Sequence, residues 1–305
     1  MKHGIGLQSS IWNNNLKSVF LLLTFPFVIL AMCWFVFLAM EGTVEGANKL
    51  ALESFIFVIG GVVVWFVIAW FSHQSLINKE THARPLERKE NPKVYNLLEN
   101  LCISRGITMP KLFIIDSDAL NAYASGISEK TYAVTLTSGI INRLEDDELE
   151  AVIAHELSHI MNRDVRLLII SVIFVGIISM ISEMLVRGVL RGGFGRRRGG
   201  GNNGGGHIVI ILMVIAVAAF GYLLSIFIRF ALSRRREYLA DAGAVELTKN
   251  SDALIRALEK ISGNSDIEGV DDDVKQMMID NEVSFLGMFA THPPIKDRIA
   301  VLKNY

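Results

Sequence analysis

Long uncharged apolar runs constrain this chain more than any other feature. Residues 18–40, 54–72 and 208–228 contain no charged side chain, and residues 167–186 contain one, Glu183. A helix of about 20 apolar residues crosses the roughly 30 Å hydrocarbon layer of a bilayer. Hydrophobic residues make up 51% of the 305 positions. Their concentration in four runs excludes an ordinary pair of soluble domains. The first run is too long for the apolar part of a signal peptide. It lacks a clear small-residue cleavage site and is soon followed by a second run, so it reads as retained. The expectation is a mainly α integral membrane protein with about four transmembrane helices.

The runs divide the chain. Residues 1–72 form a membrane hairpin with spans 18–40 and 54–72. Residues 73–166 are a soluble part, 167–232 a second hairpin, and 233–305 a helical C-terminal part. Within the soluble part, Val94, Leu97, Leu98, Leu101 and Cys102 share one face of a predicted helix over 94–104, and Gly106 is its natural stop. Lys111–Asp116 and Thr131–Leu136 read as strands. The small residues of Asn121–Gly126 suit an exposed strand between them. Glu145–Asn162 reads as a helix. The segment 187–207 is rich in Gly, Asn and Arg and reads as a flexible loop. An acidic stretch over 266–273 reads as disordered. The net charge of −1 offers no basic excess for nucleic acid. Two distant cysteines, Cys33 and Cys102, provide neither a disulfide framework nor a CxxC metal site.

The strongest chemical signal is Ala154-His155-Glu156-Leu157-Ser158-His159, an HExxH pattern. Residues four apart share a helix face, so two imidazoles can hold one zinc ion. Glu156 then reaches a zinc-bound water as general base. Leu149, Val152, Ile153 and Leu157 supply an apolar face, and Glu145, Asp146, Asp147 and Glu148 favour the helix N-terminus. The competing reading is an ordinary helix bearing two histidines. A catalytic zinc needs a third protein ligand, and His207, Glu237 and His292 are the candidates. His207 ends a glycine-rich loop. Glu237 and Asp241 lie four apart, so one can bind metal while the other orients a ligand histidine. Taken alone, Glu237 reads better as a solvated partner of Arg234, Arg235 or Arg236 than as a ligand.

Three segments, HELSHIMNRD (155–164), RRREYLADAGAVEL (234–247) and THPPIKDRI (291–299), resemble the HtpX family of membrane zinc metalloproteases, relatives of the CAAX prenyl endopeptidases. The likeness extends over nearly the whole chain, including the order of the apolar runs and NAYA (121–124). It implies a gluzincin-like α+β protease domain with a small sheet. It implies one zinc ion held by His155, His159 and Glu237, Glu156 as catalytic base, and Asp241 behind a ligand. Asn121, Ala122, Tyr123 and Ala124 would lie along the bound peptide, and His292 would stabilise the oxyanion. For His292-Pro293-Pro294 a plain helix-entry turn is the other reading. The resemblance further implies cleavage of misfolded or damaged membrane proteins, as part of quality control and the stress response. The expected partners are the lipid bilayer and polypeptides, with no nucleic acid and no small-molecule cofactor.

His159 lies shortly before the third run and Glu237 shortly after the fourth. Their meeting puts both ends on one side, with the metal within roughly 10–15 Å of the membrane surface. Lys2, Lys17, Lys79, Arg84, Arg88 and Lys89 place that side in the cytoplasm of a multi-pass inner or plasma membrane protein. The five arginines of 187–206 oppose this if runs three and four fully cross. Glu183, near one end of its run, reads as snorkelling. Two alternatives remain at this level. A prenyl-protein endopeptidase is disfavoured by the short chain with four runs. A membrane scaffold with a structural zinc is disfavoured because closed structural sites usually use cysteines.

Overall fold

The computed structural model describes residues 7–190, 211, 215–217, 219–221, 235–267, 269–270, 277–279 and 293–305. The chain divides into two compact units. One comprises Met1–Ser18, Ser72–Ile169 and Leu232–Tyr305, and the other Val19–Phe71 and Ile170–Ala231.

Among the described residues, three helices are long and apolar enough to cross a membrane: α1 (Leu7–Glu41), α2 (Val44–Glu80) and α6 (Asp164–Leu190). Each extends beyond the apolar run that predicted it, because polar residues at both ends continue the helix. The fourth run, 208–228, falls largely outside the described residues. Within the apolar unit, Phe25, Ile29, Met32 and Val36 of α1 pack with Ile170, Phe174, Ile177 and Ile178 of α6. Phe25 and Phe174 stack with centroids 4.1 Å apart. Gly221 approaches this cluster so closely that a Cβ would meet Ile178 Cγ2 and Ser182 Oγ at 2.9 Å. Small residues permit such contact between membrane helices. Outward-facing side chains are also apolar: Phe27, Phe57 and Phe71 are 71%, 80% and 79% exposed. A helix apolar all round fits lipid, and the protein is an integral membrane protein.

The other unit is built on a four-stranded mixed sheet of order β1-β2-β4-β3. Its strands are β1 (Arg84–Pro85), β2 (Lys111–Ile115), β3 (Ala122–Ser125) and β4 (Ala133–Thr137). β2 runs parallel to β4, and β1 and β3 are antiparallel to their neighbours. β1 has no counterpart in the sequence reading, since two residues ending in proline carry no alternation. Helix α3 (Pro92–Arg105) starts at Asn91, whose side chain accepts from the Val94 N–H. It ends at Gly106 in the left-handed region. The short helix α4 (Ser138–Arg143) leads into α5 (Asp146–Met161). Further along the chain come α7 (Arg235–Thr248), α8 (Ser251–Ile261) and α9 (Ile295–Leu302).

Three sequence expectations change here. β3 is not exposed: all four of its residues are buried, because α5 packs against β3 while 277–279 pairs with its outer edge. Arg187–Leu190 are helical and not part of the glycine-rich loop, with Arg187 paired to Glu183 one turn earlier at 2.5 Å. The rest of that loop lies outside the described residues. In the acidic stretch, Ile267 and Val270 are buried, and residues 268 and 271–273 lie outside the described residues.

Candidate metal centre

Helix α5 is enclosed on nearly every side. Its predicted apolar face, Leu149, Val152, Ile153 and Leu157, is fully buried, and so are His155 and Glu156. It contacts β3, β4, α3, α7 and α8. At its start, the Glu145 N–H donates to Glu148 Oε2 at 2.9 Å. Glu148 is buried and also accepts from Lys260 Nζ at 2.6 Å, which ties α5 to α8. Helix α7 lies close against α5. A Cβ on Gly243 would sit 2.6 Å from Ser158 Oγ, and the flanking Ala240 and Ala244 are fully buried. Small residues at this contact let α7 bring Glu237 up to the two histidines.

His155, His159 and Glu237 offer donor atoms that all lie within 4.8 Å of one another. The two Nε2 atoms are 3.2 Å apart, and Glu237 Oε2 is 3.7 Å from each. Two nitrogens bound to one tetrahedral ion at about 2.0–2.1 Å lie roughly 3.3 Å from each other. The spacing therefore suits a shared metal. The opposite ring atoms agree: His155 Nδ1 is 3.0 Å from Asp241 Oδ1, and His159 Nδ1 is 3.2 Å from Asp164 Oδ2. A proton held on each Nδ1 by a carboxylate leaves both Nε2 lone pairs directed at the same point.

The charge balance also fits a cation. Glu156, Asp164, Glu237 and Asp241 are buried, as are Arg236 and Arg298. With both imidazoles neutral, as metal ligands are, four carboxylates against two guanidiniums leave two negative charges, which a divalent cation neutralises. Burial lowers the pKa of His159, but the carboxylates of Glu237 and Asp164 outweigh it and push it up to about 10. Burial raises Asp241, while Arg298 and His155 pull it down further, to about 2. For Glu156, burial is the largest influence and raises the carboxyl. Glu237 adds to the rise, and the histidines and Arg298 oppose it. Glu156 Oε1 is buried and has no hydrogen-bond partner among the described residues. Glu156, His159 and Glu237 line one small pocket, together with Ala124, Asp164, Val165, Leu168, Arg236 and Met277.

The fold thus brings His155, His159, Glu156, Glu237 and Asp241 together, and Asp241 stands behind His155. Arg236 Nε lies 3.4 Å from Glu237 Oε1, inside the site and not in solvent. Ala124 borders the pocket, whereas Asn121 turns inward and donates to the Ser265 carbonyl at 2.7 Å. Tyr123 is buried with its hydroxyl 3.0 Å from Thr81 Oγ1. His207 and His292 lie outside the described residues. Two contributors escape a sequence reading. Asp164 is five residues past His159, off the helical repeat, and only the turn between α5 and α6 brings it back. Arg298 is fully buried in α9. It donates to Asp241 through Nε at 2.9 Å and Nη2 at 2.6 Å, and to the Ile279 carbonyl at 3.0 Å. In sequence it looks like one more charged residue on a short amphipathic helix.

Fold and site define a membrane-integral metallopeptidase. The chain belongs to peptidase family M48, whose profile matches residues 88–305. Its relatives narrow this to the HtpX-type membrane proteases. It is 49% identical to a "Protease HtpX homolog" of Bacteroides fragilis over 99% of both chains. It is 39% identical to one of Listeria monocytogenes over 98% of this chain and 99% of that one. A crystal structure of S. mikatae Ste24p aligns with a TM-score of 0.47 at 20% identity, covering 96% of this chain and 66% of that one.

Proposed function

We propose that this protein is a zinc-dependent endopeptidase that hydrolyses peptide bonds in misfolded or damaged membrane proteins. The observation that carries the reading is the convergence of His155 Nε2, His159 Nε2 and Glu237 Oε2 beside a buried oxygen of Glu156 that has no hydrogen-bond partner among the described residues. Two imidazoles and one carboxylate suit zinc, and a three-ligand set leaves a position open for chemistry. When bound, the ion polarises the scissile carbonyl and acidifies water. Glu156 takes the proton of the attacking water and delivers it to the leaving amine. Asp241 and Asp164 hold the Nδ1 protons of His155 and His159, which fixes the ring orientations. His292 stabilises the oxyanion in the same reading.

The substrate backbone pairs with the outer edge of β3. On that edge the Ala122 carbonyl already accepts from the Ile279 N–H, and Tyr123 bridges to Met278. Strand alternation turns Ala124 the same way as Ala122, toward the pocket that Ala124 lines. Peptide pairing therefore centres on Ala124, since alternation turns Ser125 toward β4, and extends along 121–123 only where 277–279 gives way. The four-part division at 72, 166 and 232 is the working domain scheme, with the active site facing the cytoplasm of the inner or plasma membrane. The lysines and arginines before the first apolar run and after the second support that orientation.

The decisive variant is Glu156→Gln in the full-length protein. It should retain about one zinc per chain by elemental analysis and lose at least 10³-fold in cleavage of unfolded polypeptide, the scale of a lost general base and more. Cleavage at the wild-type rate would refute the assigned base. Chelator treatment should abolish wild-type cleavage, and added zinc should restore it. In a background lacking Cys33 and Cys102, a cysteine at the exposed Glu129 should be labelled from the cytoplasmic side only.

A further inference from the structure

The turn joining α5 to α6 is strained, and another helix holds it. Arg163 adopts φ +59°, in the left-handed region that residues with a Cβ rarely adopt. This reversal returns Asp164, the first residue of α6, to His159. Two consecutive residues of α1 clasp the three residues of the turn. Asn14 Nδ2 donates to the Asn162 carbonyl at 3.0 Å and to Asp164 Oδ1 at 2.6 Å. Asn15 Oδ1 accepts from Arg163 Nη1 at 3.2 Å. The oxygens of Asp164 are thereby divided, Oδ2 toward the histidine and Oδ1 toward Asn14.

We propose that Asn14 is a positioning residue of the metal centre. By fixing Asp164 against His159 Nδ1, it makes the first turns of α1 part of the outer ring of the site. The inference rests on the reading of His159 as a metal ligand. An asparagine suits this position, because an amide carries two N–H groups and meets two acceptors here, where a carboxylate would oppose them. With Oδ1 tethered, the carboxylate cannot rotate away from the ring. The two ligand histidines are then held by unlike means. His155 is backed by Asp241, itself locked by the fully buried Arg298. His159 is backed by Asp164, locked by a neutral, half-buried amide on a helix that continues into the apolar unit.

The test uses full-length protein in detergent, with metal affinity measured by chelator competition and ligand geometry by the visible spectrum of the cobalt-substituted form. Asn14→Ala should weaken the metal about 10-fold, at the lower end for loss of a ligand's hydrogen-bonding partner, and should alter the cobalt spectrum. Asn14→Asp should weaken it more. Asn13→Ala, an exposed neighbour, should change nothing. Combining Asn14→Ala with Asp164→Asn should be no weaker than Asp164→Asn alone, because Asn14 acts through Asp164. Should Asn14→Ala not fold, Asn14→Ser keeps one donor and reads out the same shift. Unchanged affinity and spectrum in Asn14→Ala, with His159→Ala losing the metal, would overturn the positioning role. Full additivity in the double variant would do the same. A His159→Ala protein that keeps its metal would instead overturn the ligand reading.

Discussion

The two units keep different things in their interiors. The apolar unit buries Phe25, Ile29, Met32, Phe174 and Ile178, whose contacts are shape against shape. The metalloprotease unit buries His155, Glu156, Glu237, Asp241 and Arg298, most of them answered by a partner at a defined distance. Dispersion packing tolerates exchange among side chains of similar volume. Buried charge does not, because each group left without its partner carries the full penalty of desolvation. The same chain should therefore respond to substitution in two distinct ways.

The contrast is sharpest at Arg298. Arg298→Met leaves the Asp241 carboxylate buried without its counter-charge, which costs about 3–5 kcal/mol. Thermal unfolding should fall steeply, and metal affinity with it. An unchanged melting temperature would mean that Asp241 is balanced by something else. Gly243→Val tests the close approach of α7 to α5. The new methyl groups meet Ser158, and overpacking of this kind costs about 1–3 kcal/mol. Because α7 carries Glu237, the metal should loosen as stability drops. The smallest effect belongs to the apolar unit. Phe174→Leu removes the stacking with Phe25 and should cost less than about 1.5 kcal/mol as a near-conservative apolar exchange. Metal affinity should stay at the wild-type value. A large loss of metal there would erase the distinction between the two interiors.

Parts of this division were legible beforehand. Three membrane helices followed from apolar runs with at most one charge, since hydrocarbon tolerates little else. Helix α5 followed from its apolar face and acidic first turn, and α3 from its apolar face and its stop at Gly106, although its start at Asn91 emerged only in the structure. β1 did not, because Arg84–Pro85 pairs with β2 only once β2 is in place. Nor was the burial of β3 visible: small residues suit an exposed strand as well as one covered by α5 and Met278. Short-range pattern reports what a residue does to its own helix or strand, and says little about what later covers it.

Local chemistry was written in the chain alone: a helix carrying two histidines and a glutamate, a second helix with Glu237 and Asp241 on one face, and apolar runs that need lipid. Helical periodicity and hydropathy are local properties and survive without the rest of the fold. It took tertiary packing to bring Glu237 to both histidines, to stand Asp164 rather than another carboxylate behind His159, and to set Arg298 against Asp241. These contacts join residues far apart in the chain or across a strained turn. Their spacing follows from helix packing and one left-handed residue, and neither leaves a periodic mark in the sequence.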